Sequence, residues 1–316
     1  MISRSMIKSG ISALSLILCL FAVQDVSAQQ DPLQIFYMEH KLLMNPAYAG
    51  SRDGLSITAQ YRHQWAGMDD APRTTSLSAH TPLGNGRNSV GIIINDDRLG
   101  VSNETGFQLN YAYRVPLGPG RFSAGINAGV ARFSADLNQV FLFENDPLFG
   151  VQQTLWLPSA GAGIWYDTEN WFVGISAPHL YRIFYDSEGF SRQSRYYYTT
   201  AGYVLSISEN IRLRPSAIFR MADSNLPLQV EGDLSVELLS RIWIGGGYRT
   251  GAAFKGHMLA TLSEGLSLGY NYGHDLNILN TVNKGSHSVM VRLEFDKLKA
   301  DGKSILSPRK SPSRAF

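Results

Sequence analysis

The chain has 316 residues, a formal net charge of +2 and 17% charged residues, a smaller charged share than globular domains usually carry. This near balance of charge excludes the strongly basic surface that is typical of nucleic-acid-binding proteins. Hydrophobic residues make up 44% of the chain, but they are spread along it rather than gathered in long runs.

The first predicted element is a secretion signal over residues 1–28. Two basic residues precede the apolar run Ile11–Val23, and small residues ending at Ala28 follow it, as in a signal peptide. The run is too short for a membrane-spanning helix. Cys19, the only cysteine, lies inside the run behind a leucine, which disfavours a lipoprotein signal. Cleavage after Ala28 leaves no cysteine, so the mature chain is predicted to contain no disulfide.

From Leu55 onward, apolar and polar residues alternate with period two. In the first such segment, residues 55–65, Tyr61 and Trp65 belong to the apolar face, whereas Arg62 and Gln64 belong to the polar face. Successive side chains of a strand point to opposite faces, so each segment has one apolar and one polar side. The pattern predicts fourteen strands near 55–65, 73–82, 88–97, 103–116, 121–133, 158–167, 171–178, 196–208, 211–221, 226–238, 241–249, 254–263, 265–273 and 286–296.

The predicted connections alternate in length. The even-numbered ones are short, such as LGNGR and LGPG, and most of the odd-numbered ones are longer. The longer ones are 66–72, 98–102, 134–157, 179–195 and 274–285; the odd connections near residues 222 and 250 are short exceptions. Such alternation places the long loops at one end of a closed sheet, as in outer-membrane barrels with tight periplasmic turns. An even number of strands puts both ends of the sheet on the periplasmic side.

A soluble β-sandwich is the alternative fold, because it also alternates polar and apolar residues. Its polar face would carry many Lys and Glu, whereas here that face is rich in Ser, Asn, Gln and Gly, which suits a confined wet lumen. Aromatic residues recur near strand ends, where amphipathic rings favour a membrane–water boundary. These are Tyr61, Trp65, Tyr111, Tyr113, Tyr166, Trp171, Tyr248, Tyr270 and Tyr272. The sequence therefore predicts an all-β, transmembrane, antiparallel up-and-down outer-membrane β-barrel of about fourteen strands.

Motifs for catalysis or metal binding are not found. The seven His residues have no zinc-type spacing, and no G-x-S-x-G elbow is present. In GSHSV, His287 is flanked by serines that point to the opposite strand face, which disfavours a barrel hydrolase. The loop doublets at 69–70 and 96–97 suit either Ca²⁺ or solvated loop charge, with the latter preferred. No catalytic residue, cofactor or metal site is predicted.

Four parts of the chain are expected: the signal 1–28, an N-terminal periplasmic or plug segment 29–54, a barrel 55–296 and a flexible basic periplasmic tail 297–316. The tail is aperiodic, and it suits either a solvated terminus or a docking segment. Within 29–54, Asn45 before Pro46 starts a turn, and Gly50 permits positive φ. The residues just before that turn form either a gate in the lumen or a simple lead into strand one.

Several motifs resemble the PorP/SprF family of type IX secretion membrane proteins of Bacteroidetes. They run in order along nearly the whole mature chain, and NPAYAG with YRHQW is the most specific pair. The residues that carry this pair are Asn45, Pro46, Ala47, Tyr48, Gly50, Tyr61, Arg62, Gln64 and Trp65. The family's closing pattern is similar to G-S-H-E, and here Ser288 takes the place of the carboxylate.

The resemblance implies a non-catalytic outer-membrane barrel with a Sec signal, in a system that exports adhesins and in many relatives supports gliding motility. The implied partners are secreted cargo with a type IX C-terminal domain, periplasmic ring or peptidoglycan-binding proteins, and membrane lipid, with no nucleic acid. Aromatic and acidic loop residues are candidate contacts. They are Tyr196, Tyr197, Tyr198, Phe143, Glu144 and Asp146. The alternatives are a passive porin or hydrophobic-compound transporter, and a barrel enzyme that depends on His287.

Overall fold

The structure, a computed structural model, describes residues 36–136, 152–182, 195–222, 227–251, 253–276 and 278–295. Its strands are β1 (Leu55–His63), β2 (Arg73–Leu83), β3 (Asn88–Leu99), β4 (Ser102–Leu117), β5 (Gly120–Asp136), β6 (Gln152–Asp167), β7 (Trp171–Arg182), β8 (Tyr196–Tyr203), β9 (Leu205–Ser208), β10 (Ile211–Ala222), β11 (Gln229–Leu238), β12 (Ile242–Arg249), β13 (Ala253–Ser263), β14 (Leu266–Asp275) and β15 (Ser286–Phe295).

The strands form one closed antiparallel sheet in which sequence neighbours pair. β1 pairs with β2 on one side and with β15 on the other, and β10 pairs with β11, so the ring has no open edge. β8 and β9 both pair with β10 and are separated only by Val204, so they make a single crossing. The barrel therefore has fourteen crossings, and the predicted fold class is confirmed. Closure gives the backbone N–H and C=O groups at every strand edge a hydrogen-bonding partner, which a sheet in lipid requires because lipid offers none.

The two faces of each strand differ as the alternation predicts. In β15, Ser288 and Arg292 are buried towards the lumen, while Val289 and Val291 are exposed on the outer surface. The same alternation occurs in β1, where Arg62 is buried and Tyr61 is exposed. An apolar outer band around a polar interior is the arrangement that a barrel needs to lie in a membrane.

Some boundaries and connections differ from the predictions. β6 begins at Gln152 and β7 continues to Arg182, so the connections predicted over 134–157 and 179–195 are shorter than expected. The doublet at 96–97, predicted to lie in a loop, lies within β3.

Pairing of β3 with β4 continues to Leu99 and Ser102, so this connection contains only Gly100 and Val101. The longer connection predicted over 98–102 is therefore wrong, because Gly100 at φ 56° permits a tight turn. The prediction that Trp65 belongs to the apolar face of strand one is also wrong.

Trp65 lies beyond the end of β1, in the loop to β2. The Gln64 N–H donates to Pro72 O, which closes the loop, and Trp65 has φ 51°. The Trp65 N–H donates to Ser286 Oγ at 3.2 Å. Local loop closure, which period-two alternation does not encode, therefore ends the strand at His63.

The helical segments in the described ranges are the short 3-10 turns Lys41–Leu43, Pro46–Tyr48 and Ile278–Thr281. None of the helical turns in this part of the chain has the length and apolar character of a membrane-spanning helix.

Candidate functional site

Residues 36–54 lie inside the barrel, against the inward-facing side chains of the strands. Nearly every residue from Phe36 to Gly54 is buried, including charged ones such as Glu39 and Lys41. We call residues 36–54 the lumen segment. Its hydrogen bonds and ion pairs reach β1, β2, β4, β5, β6, β7, β10 and β15, so it is held from several sides of the ring.

The NPAYAG motif forms the centre of the lumen segment. Asn45 is extended, its side chain accepts a hydrogen bond from the Ala47 N–H at 2.9 Å, and Pro46 opens a 3-10 turn. A short polar cap before a proline whose φ is preset is a favourable start for such a turn. Gly50 ends the motif at φ 71°.

Inward-facing glycines of β5, β6 and β7 make room for this turn. A Cβ on Gly125 would lie 2.3 Å from Ala47 N, and one on Gly163 would lie 2.3 Å from Asn45 Oδ1. The Asn45 Nδ2 atom donates to the main-chain oxygens of Ile164, at 3.0 Å, and Ile175, at 3.4 Å. Only residues without a side chain allow such close approach of the turn to the wall.

Glu39 is the charged anchor of the lumen segment. Its Oε1 atom lies 2.5 Å from Arg214 NH2 of β10, and its Oε2 atom lies 3.4 Å from Arg292 NH2 of β15. Arg292 also donates to Glu39 O. The carboxylate and both guanidinium groups are buried, so each depends on the other for compensation of its lost hydration.

Arg114 of β4 holds the opposite end of the lumen segment. It donates to Gly50 O at 2.7 Å, to Ala49 O at 3.3 Å and to Ser51 Oγ at 2.6 Å. A guanidinium group is suited to this task because its donors are arranged in a rigid planar fork.

The two residues after Ser51 in the lumen segment form ion pairs with the wall. Arg52 NH1 lies 3.1 Å from Glu294 Oε1, and Arg121 NH1 lies 2.8 Å from Asp53 Oδ1. These pairs join the last residues of the lumen segment to β15 and β5, immediately before β1 begins.

Aromatic packing lies next to the turn. The ring of Tyr48 meets Trp165 edge-on with centroids 5.2 Å apart, and Trp165 stacks on Phe172 at 4.7 Å. Lys41 Nζ lies 5.1 Å from the Phe172 ring centroid and donates to Met38 O. This cluster gives the lumen segment an apolar core of its own, in addition to its polar anchors.

Ionisation of the lumen segment follows from its burial and neighbours. Burial by itself raises the pKa of Glu39, but the cations Arg214, Arg292 and Lys41 outweigh it and hold that pKa well below its usual range. Burial lowers the pKa of His40 to about 3, against the opposing effect of the hydrogen bond that His40 Nδ1 donates to Gln60 Oε1. Glu39 is therefore ionised and His40 neutral at neutral pH.

A second polar cluster lies on β11 and β13. Lys255 and His257 of β13 reach across β12 to Asp233 of β11, because Gly245 and Gly247 leave the intervening positions empty. Lys255 Nζ also lies over the ring of Tyr37, 4.3 Å from its centroid, and so connects the cluster to the lumen segment.

A serine, a histidine and an aspartate lie together in this cluster: Ser235, His257 and Asp233. Their hydrogen bonds are not those of a catalytic serine. Ser235 Oγ lies 3.1 Å from His257 Nε2, but it donates to Asp233 Oδ1 at 2.8 Å and has no exposed surface. A serine nucleophile must instead give its proton to the histidine and meet a substrate. No group of three metal-ligating side chains occurs among the residues that the structure describes.

The family-motif residues are divided between three places. Asn45 to Gly50 lie in the lumen segment, Arg62 points inward from β1, and Tyr61 lies on the outer surface. Gln64 and Trp65 lie in the following loop. The motif is therefore not one site, although its NPAYAG portion is a single structural unit.

The candidate contact residues lie in different settings. Tyr196 is buried, with the Arg220 guanidinium 3.7 Å from its ring centroid, and Tyr198 packs against the buried cluster. Tyr197 lies between them on the opposite face of β8. Phe143, Glu144 and Asp146 lie outside the described residues. A role of these six residues in partner binding stays a prediction.

The residues that hold the lumen segment were not singled out from the sequence. Arg114, Arg292 and Glu294 lie on the predicted polar faces, so the alternation marks them as inward-facing. Their partners Glu39 and Arg52 lie in a segment without periodicity, and nothing in the sequence pairs them.

The profile described as "Type IX secretion system membrane protein PorP/SprF" matches residues 26–293. A comparison with curated proteins finds no significant match. Omp33, an outer membrane protein of Acinetobacter baumannii, has 10% identity and a TM-score of 0.47, over 78% of this chain and 100% of its own.

Two further solved structures are similar. The CymD monoaromatic hydrocarbon channel has 11% identity and a TM-score of 0.49, over 85% of this chain and 95% of its own. Outer membrane phospholipase A from Escherichia coli has 12% identity and a TM-score of 0.36, over 78% of this chain and 91% of its own. The family match spans most of the chain and agrees with the closed barrel, which lies in the outer membrane. The chain belongs to the PorP/SprF family of type IX secretion system membrane proteins.

Proposed function

We propose that this protein is a non-catalytic barrel that helps to deliver or retain secreted surface proteins, such as adhesins, and that links to periplasmic partners of the type IX system. The secreted cargo carries a type IX C-terminal domain, and the periplasmic partners are ring or peptidoglycan-binding proteins. Family membership supports the general role.

One observation carries the proposal: the lumen segment occupies the interior and is anchored there by buried ion pairs. Glu39 with Arg214, and Arg52 with Glu294, hold it from different strands. A passive porin or hydrophobic-compound transporter needs a continuous path through its interior. A filled interior suits a protein whose working surfaces are its outer loops and its periplasmic face.

The loops and the tail are the proposed contact regions. The connection over 137–151 contains Phe143, Glu144 and Asp146, and Tyr197 lies at the start of β8 after the next long connection. Aromatic side chains are enriched at the centres of protein interfaces. The basic tail over 297–316 comes after β15 in the sequence and is the proposed link to the periplasm.

The test is capture of partners by the full-length tagged barrel, solubilised from its native envelope, with mass-spectrometric identification. We expect type IX components or a large surface adhesin to be recovered. A chain with alanine at Phe143, Glu144 and Asp146 should lose the cargo, whereas Glu169→Ala in a periplasmic turn should not. A barrel that is recovered alone, in amounts matched to the envelope input, would contradict the proposal.

A further inference from the structure

The outer surface of the barrel carries charge in one sector. From β8 to β14, the outward-facing positions of the described strands contain no Asp, Glu, Lys or Arg. In contrast, Arg73 of β2, Arg98 of β3 and Arg132 of β5 all point outward and are exposed. Because a guanidinium group facing lipid is unfavourable, three in one sector require an explanation.

These arginines are brought together by the strand register. One line of directly opposed outward-facing residues crosses six neighbouring strands at their loop ends, and we call it the outer row. It consists of Tyr272, His287, His63, Arg73, Arg98 and Asn103. In the line next to it, Asp96 is opposite Thr105, which is opposite Arg132.

The outer row has an excess of positive charge. Arg98 Nε lies 3.0 Å from Asp96 Oδ2, and this carboxylate also accepts from Thr105 Oγ1. Arg73 and Arg132 have no ion-pair partner in the described part of the chain. Like charges directly opposite each other on neighbouring strands, as Arg73 and Arg98 are, destabilise a sheet unless an anion lies between them.

The position of the outer row indicates which anion is available. It lies at the end of the barrel that carries the long loops, which is the extracellular end of an outer-membrane barrel. Tyr61, Tyr270 and Tyr272 are exposed on the same surface, and such rings mark the depth of lipid headgroups. Charged side chains are tolerated on the lipid face only near this depth.

We propose that the outer row binds the phosphate groups of a phosphorylated glycolipid in the outer leaflet. Guanidinium groups recognise phosphate with two parallel hydrogen bonds, and two of them on neighbouring strands form a clamp. His63 and His287 continue the row on the side of Arg73 away from Arg98 and supply further ring nitrogens, with His287 Nδ1 2.7 Å from Tyr270 Oη. The acyl chains of the lipid would cover the apolar surface below the row.

The test uses the full-length protein in nanodiscs, with bound lipid counted by native mass spectrometry. The probe is diphosphoryl lipid A, compared with the same lipid after removal of its phosphates. For the double variant Arg73→Gln/Arg98→Gln we expect at least about a tenfold loss of affinity for the phosphorylated lipid. Arg87→Gln/Arg241→Gln, at exposed positions in turns at the opposite end, is the matched control and should bind as the wild type does.

Three outcomes would overturn the proposal. The first is undiminished binding by the outer-row variant, and the second is equal binding of the dephosphorylated lipid. The third is displacement of the lipid by inorganic phosphate alone at equal concentration, which would indicate a site for the free ion. Heat-modifiable gel migration of every variant establishes that each one is a folded barrel, so that a loss of binding reports on the row itself.

Discussion

Glu39 is a buried carboxylate that lies between Arg214 of β10 and Arg292 of β15. Its contribution depends on all three charges being present, because each buried ion has lost its hydration and relies on its oppositely charged neighbours as compensation. The same argument applies to Arg52 and Glu294. A single substitution in this network therefore acts on a strand wall and on the lumen segment together.

We predict that Glu39→Gln lowers the free energy of unfolding of the barrel by about 3 kcal/mol, because it leaves two buried guanidinium groups without their anion. The measurement is urea unfolding in lipid vesicles, followed by tryptophan fluorescence. Glu264→Gln, at an exposed turn position, is the control and should change this free energy little. Equal stability of Glu39→Gln and the wild type would show that Glu39 is not an anchor.

At the scale of elements, inward-facing glycines decide what the strands can accommodate. Gly125 and Gly163 receive the NPAYAG turn, while Gly245 and Gly247 let side chains of β13 cross β12 to β11. Period-two alternation predicts that all four positions face inward. The reason that each one is a glycine is found in the group that occupies the space of a side chain there. The positions of these glycines are thus explained by the groups that pack against them inside the barrel.

We predict that Gly125→Ala displaces the NPAYAG turn, because the new Cβ would lie 2.3 Å from Ala47 N and 2.5 Å from Ala47 Cα. Overpacking of this kind costs about 1–3 kcal/mol. The measurement is the rate of proteolytic cleavage within residues 36–54 of the purified barrel, which should rise.

Gly256→Ala is the matched control for Gly125→Ala, since a Cβ at Gly256 meets nothing within 4 Å. Its cleavage rate should equal that of the wild type. Identical rates for all three proteins would mean that the turn does not depend on the glycines beneath it.

At the scale of the whole molecule, closure of the ring and filling of its interior are separate properties. Closure follows from the pairing of β1 with β15 and of β10 with β11, whereas filling depends on residues 36–54. A barrel of the same strands without that segment would retain its wall and have an open path.

We predict that the intact protein passes little ionic current in a planar bilayer, and that deletion of residues 36–54 produces a steady conducting channel. The physical reason is that the lumen segment replaces water in the interior with buried side chains. Deletion of residues 297–316 is the control and should leave the current low. A large current through the intact protein would favour the passive porin instead.

The amino-acid sequence by itself determined the class of fold and the direction in which most strand residues point. Fourteen segments alternate with period two, and short and long connections follow each other in turn. This pattern favours a closed barrel, because lipid offers no hydrogen-bonding partner to the backbone groups of an open strand edge. The inward positions of Arg62, Arg114 and Arg292 follow from that alternation alone.

Only the tertiary structure decided what fills the lumen and which charges meet. Glu39 and Arg292 are 253 residues apart, and their pairing depends on closure of the ring rather than on any local pattern. The strand end at His63 and the two-residue turn after Leu99 were likewise decided by loop hydrogen bonds and backbone angles. Local periodicity reports the environment of each face, whereas contacts across a lumen arise only after the sheet has closed.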